Sequence, residues 1–163
     1  MKRSSVGETD QITTIFTKEH GKLSVVSKGI RKLSSSKLAI LEPGNEVSFL
    51  AIRSSLPILT EAKLLWSPGE KLKQLEDYRR LFQVLETLDK LLVDEDTQSE
   101  VYVLAMRAIK LLFNQGKNSQ IKEILLLIVQ VLGYDKGNNN QSILELVEEI
   151  TQKKVRSFEY LTV

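Results

Sequence analysis

Ile12-Thr13-Thr14-Ile15-Phe16-Thr17-Lys18-Glu19-His20-Gly21-Lys22-Leu23-Ser24-Val25-Val26-Ser27-Lys28-Gly29-Ile30 is the stretch whose reading decides the fold. Residues 12 to 17 are all β-branched or aromatic, the types that fit a pleated surface. Lys18-Glu19-His20-Gly21 is a short polar connection ending in glycine, and Lys22 to Ile30 is strand-like again, so the stretch reads as a hairpin. Successive side chains of a strand point to opposite faces. Leu23 and Val25 therefore share one face, and Lys22, Ser24 and Lys28 the other.

Further along the chain, Arg31 to Lys37 is basic and serine-rich, with room for a short helical turn, and Pro43-Gly44-Asn45 is a strong turn signal. Asn45 to Arg53 places Val47, Phe49 and Ala51 on one face, and Leu56 to Trp66 is one more apolar run before Ser67-Pro68-Gly69. Short strands separated by turns, with no helical period among them, predict a small sheet or barrel of about 65 residues.

After Gly69 the period changes. Leu72, Leu75, Tyr78, Phe82, Leu85, Leu88 and Leu92 recur at intervals of three and four, the stripe of an amphipathic helix. Thr97 and Glu100 have capping-box spacing ahead of a second helix with Val101, Leu104, Ala105, Ala108 and Leu112 inward. Ile121 to Leu132 is apolar nearly all round and closes at Gly133, as expected of the buried helix of a bundle. Ser142 and Glu145 open a fourth helix with Ile143, Leu146, Val147 and Ile150. The fold class expected is α+β: a β-rich module over residues 1–68, then a helical bundle over 69–163.

The chain of 163 residues is 42% hydrophobic and 27% charged, within the range of globular proteins. It has no cysteine and one histidine, which excludes disulfides and thiolate metal sites and leaves little material for a metal centre. No apolar run approaches a bilayer span, so the expectation is a cytoplasmic protein with no membrane partner. There is no phosphate-cradling glycine loop, no two-histidine motif and no serine–histidine–aspartate context around His20. His20 reads as a turn residue, and the protein is expected to be no enzyme, with no cofactor and no small-molecule substrate.

The net charge is only +2, but residues 1–69 hold ten Lys/Arg against six Asp/Glu, and residues 70–163 thirteen against fifteen. Within Thr17 to Lys37 six bases stand against one acid. Bases interleaved with serine and glycine offer what phosphates take: cationic side chains, hydroxyls and backbone N–H groups. Lys18, Lys22, Lys28, Arg31, Lys32 and Lys37 are thus the candidate nucleic-acid contacts, with His20, Ser34 and Ser35 as additional ones. Phe16, preceding the turn, could stack on a base, but the expectation is that it fills the barrel core.

Gly7-Glu8-Thr9-Asp10, Phe16 to Leu23, Lys28-Gly29-Ile30-Arg31-Lys32, Leu41-Glu42-Pro43 and Leu56 to Ala62 resemble, in order and spacing, the N-terminal domain of the bacterial DNA repair family RecO. The helical part resembles it more loosely, through Leu125-Leu126-Leu127, Leu132-Gly133-Tyr134 and Val155 to Leu161. The resemblance implies an OB-fold barrel followed by a helical domain in a bacterial, nucleoid-associated protein of recombinational repair. It implies binding of single- and double-stranded DNA, strand annealing, action on DNA coated by single-strand-binding protein, and association with RecR to load the recombinase. Only Met1 to Val6 are available for the strand ahead of Gly7. Asp135 to Asn140 stands where the family often has zinc-binding cysteines. A second class of function is an interaction adaptor, whose helical module docks a partner while the barrel is a scaffold.

Overall fold

The computed structural model describes residues 2–30, 37–72, 74–114, 116–135, 137 and 141–156, with the side chains of Lys37 and Glu70 outside that description. Five strands form one sheet: β1 (Lys2–Val6), β2 (Asp10–Thr17), β3 (Gly21–Ser27), β4 (Glu46–Ile52) and β5 (Ile58–Trp66), with the one-turn helix α1 (Lys37–Ile40) before β4. The spatial order is β1-β2-β3-β5-β4. β1, β2 and β3 run antiparallel, β3 meets β5 in parallel at Val26↔Ile58, and β4 returns antiparallel to β5. This is the order of a five-stranded, partly open Greek-key barrel of the OB type. The strand ahead of Gly7 does form: β1 pairs with β2 from Lys2↔Thr14 to Val6↔Asp10, with all its side chains exposed.

The alternation read from the sequence sets the barrel core except at Ala51, which the irregularity between Leu50 and Ala51 leaves exposed. Val25, Ile30, Leu41 and Leu59 are buried, with Ile15, Val47, Phe49 and Ala62 packed on them. The main core is helical. It is built by α2 (Leu75–Leu91), α3 (Ser99–Leu112), α4 (Asn118–Val131) and α5 (Ile143–Thr151) around Leu81, Leu88, Leu125, Ile128 and Ile143. Burying each such side chain contributes about 1.5–3 kcal/mol.

Two sequence expectations are corrected here. The buried face of α2 carries Leu81, Val84, Leu85, Leu88 and Leu91, whereas Leu75, Tyr78 and Phe82 are 65%, 43% and 45% exposed. At 100° per residue, Leu75 and Phe82 lie roughly 125–145° from the centre of the buried face, so a run of three- and four-residue steps drifts off it. Thr97 does not cap α3, whose N-cap is Gln98; its hydroxyl is spent elsewhere. The Ser142 box forms as expected, with Glu145 N–H donating to Ser142 Oγ at 3.2 Å and Ser142 N–H to the Glu145 carboxylate at 3.0 Å.

Sheet and helices pack directly on each other. Phe16 and Trp66 join the helical core, Phe16 meeting Tyr102 at 5.6 Å between ring centroids and Trp66 meeting Phe113 at 6.4 Å. Lys110 lies 5.6 Å over the Trp66 ring and pairs with Glu46 at 3.1 Å. The Tyr102 hydroxyl faces Glu46 at 3.5 Å, and burial, reinforced by that carboxylate, pushes its pKa above the usual tyrosine range.

Candidate nucleic-acid interface

The basic stretch that is continuous in sequence is divided in space. Lys18, Glu19 and His20 form the exposed β2–β3 turn, closed by Thr17: its hydroxyl donates to the Gly21 carbonyl at 3.0 Å and accepts the His20 N–H at 2.9 Å. Lys28 is exposed just beyond the other end of β3. At about 3.3 Å per residue, the two ends are roughly 20 Å apart.

The Lys28 end is where loops gather. Gly29 N–H donates to the Asp10 carboxylate at 2.8 Å, bringing in the β1–β2 turn at 7–9. Val26 N–H donates to the Pro57 carbonyl at 2.8 Å, bringing in the β4–β5 loop at 53–57. Those two loops and the face of strands 2 and 3 are the surfaces by which OB barrels take oligonucleotides. Arg53 is exposed in the second loop. The sequence reading missed it because it lies outside the basic run and only the β3–β5 pairing brings it to Lys28. Glu8 is the exposed acid of this end, and Asp10 is engaged by Gly29.

The outward face between the two ends carries Lys2, Ser4, Ile12, Thr14, Ser24 and Val26 in matched rows, with the Thr14 and Ser24 hydroxyls 3.5 Å apart. Phe82, 45% exposed on α2, lines a cavity together with Lys2 of this face. Phe16, expected in the barrel core, instead packs partly buried against the helical core beside Tyr102. Arg31, Lys32, Ser34 and Ser35 lie outside the described residues, as does the Lys37 side chain.

The opposite end is bound to the helical part. Lys22 was expected among the phosphate contacts, yet its side chain is only 13% exposed and is surrounded by acceptors. Its ammonium donates to the Asp89 carbonyl at 2.9 Å, and the carboxylates of Asp94 and Asp89 lie at 3.2 and 3.8 Å. The α2–α3 loop continues the attachment: Glu95 N–H donates to the Lys22 carbonyl at 2.9 Å, and the Thr97 hydroxyl to the Glu19 carbonyl at 3.0 Å. Gly21 has φ +67°, and a side chain there would run into the backbone of Asp96. These contacts occupy the part of the β3 edge that β5, paired only at Val26, leaves open.

A partly open OB-type barrel with a basic loop end, joined to a helical bundle, defines an α+β protein of the oligonucleotide-binding-fold class. Residues 1–68 match the family described as "Recombination protein O N terminal". Over residues 1–68 the chain is an N-terminal domain of the RecO family. It is similar to the DNA repair protein RecO of Salinibacter ruber, 33% identical over 132 residues covering 78% of this chain and 51% of the relative. The RecO of Bifidobacterium longum is 32% identical over 123 residues, 74% of this chain and 52% of the relative. That of Prosthecochloris aestuarii is 24% identical over 140 residues, 83% and 53%. The chain spans about half the length of the curated relatives it matches. No helix among the described residues is long and apolar enough to cross a membrane.

Proposed function

We propose that the chain acts in recombinational DNA repair, without catalysis, by holding single- and double-stranded DNA through its phosphates. Residues 1–68 are the DNA-binding module and residues 69–163 the helical module. The observation that carries this reading is the convergence of the β1–β2 turn, the β4–β5 loop, Lys28 and Arg53 at one end of an OB-type sheet. Lys28 and Arg53, with Arg31, Lys32 and Lys37 following in sequence, neutralise the backbone. Serine and threonine hydroxyls of the smooth outer face complete the track. Binding by these groups is governed by charge. Strand annealing, RecR and single-strand-binding protein as partners, and a cytoplasmic, nucleoid-associated site of action extend the proposal by family.

The experiment is a titration of labelled single-stranded and duplex DNA over a salt series. The reading expects both to bind, with log affinity falling linearly as log salt rises. A chain that binds neither at low salt overturns it. The adaptor reading is favoured by one observation, the exposed row Leu75, Tyr78 and Phe82 on α2. It expects Phe82→Ser to abolish capture of RecR while leaving DNA binding intact.

A further inference from the structure

We propose that the α2–α3 loop walls off the Lys18–His20 end of the hairpin from nucleic acid and so confines the DNA track to the Lys28 end; the inference rests on the DNA-binding reading above. Asp94-Glu95-Asp96 is seated against the turn by named contacts. Lys22 binds Asp94 and the Asp89 carbonyl, Glu95 N–H binds the Lys22 carbonyl, and Thr97 binds the Glu19 carbonyl. The loop has a defined shape. Glu95 holds φ +59°, a left-handed conformation that a non-glycine residue keeps only when its surroundings fix it. Gly21 supplies the space, since any side chain there meets the Asp96 carbonyl carbon at 2.6 Å.

The consequence is electrostatic. Lys22 is neutralised within the protein, and the two other ionic residues nearby in the turn, Lys18 and Glu19, offset each other. Asp94, 78% exposed at its side chain, Glu95 and Asp96 then present negative charge beside the turn. A phosphate approaching Lys18 meets this field. At the other end Asp10 is occupied by Gly29 and Glu8 is the exposed acid, set against Lys28 and Arg53. The loop is therefore a specificity element: it decides which of two basic ends of one hairpin is open to a polyanion.

The test compares the full chain with Asp94→Asn/Glu95→Gln/Asp96→Asn and, separately, Lys18→Glu, using labelled single-stranded DNA over a salt series. Each carboxylate at about 10 Å from a phosphate weakens binding at low salt by roughly 1.6-fold. Removing three should tighten binding about fourfold, and recruitment of Lys18 should steepen the salt slope by about 0.7. Lys18→Glu in the otherwise unchanged chain should shift affinity less than twofold, a readout that does not depend on the loop variant folding. Unchanged affinity and slope in a folded triple variant overturns the proposal, as does a tenfold loss in Lys18→Glu. Loss of all DNA binding by the unaltered chain would instead overturn the DNA-binding reading itself.

Discussion

Gly21→Ala and Gly7→Ala form a matched pair that measures what the attachment of the α2–α3 loop contributes. Both glycines have positive φ, +60° at Gly7 and +67° at Gly21. Each substitution therefore carries the left-handed penalty of about 1–2 kcal/mol. Around Gly7 nothing lies within 4 Å of an added Cβ, so that penalty is the whole effect. At Gly21 the same atom meets Asp96, 2.6 Å from its carbonyl carbon and 2.9 Å from its nitrogen. The loop must move, loosening the Glu95–Lys22 and Thr97–Glu19 hydrogen bonds, each worth about 1 kcal/mol. Gly21→Ala should thus cost about 3–4 kcal/mol against about 1–2 for Gly7→Ala. For a chain of this size, with about 2–4 °C of Tm per kcal/mol, the difference is roughly 4–8 °C in thermal melts followed by far-UV circular dichroism. Equal losses in the two variants would refute the reasoning, because the loop would then yield at no cost.

Other outcomes follow from the same geometry. Ser142→Ala should lower stability by about 1 kcal/mol in urea unfolding, since it leaves the Glu145 N–H without its cap. Thr97→Ala should cost about 0.5–1 kcal/mol through the lost bond to the Glu19 carbonyl, with helix content unchanged in circular dichroism because Gln98, not Thr97, is the N-cap of α3. The raised pKa of Tyr102 gives an alkaline limb. Burial first, then Glu46, favours the protonated hydroxyl in the folded chain, so its contribution is complete below the unfolded value of about 10 and is lost as pH rises through the folded one. Tyr102→Phe should flatten the fall in stability above pH 10 while keeping the ring contact with Phe16; an unchanged limb would contradict that assignment.

The sheet and the four main helices were legible from the sequence because each signal was local. The period of two in Leu23 and Val25, the turn at Pro43-Gly44 and the capping pair Ser142 and Glu145 all act within a few residues. The failures were tertiary. Lys22 reads as an outward base from its strand alone, and only the packing of α2 and its following loop makes it an inward tie to Asp89 and Asp94. Arg53 is one arginine in a serine-rich loop until the parallel contact of β5 with β3 sets that loop beside Lys28. Leu75 and Phe82 fit a three-four spacing, yet a short window does not reveal rotation away from the buried face. Thr97 satisfied a capping pattern that its bond to Glu19 overrode. Clustering along the chain was thus a poor guide to clustering in space, since a β-hairpin carries its ends apart.

The measurement closest to the central claim is the salt slope of single-stranded DNA binding for the unaltered chain and for Lys28→Ala/Arg53→Ala. Two lost phosphate contacts should make the slope shallower by about 1.4 and weaken binding about sixtyfold at 50 mM salt. An unchanged slope in the folded double variant would contradict the placement of DNA at this end of the barrel.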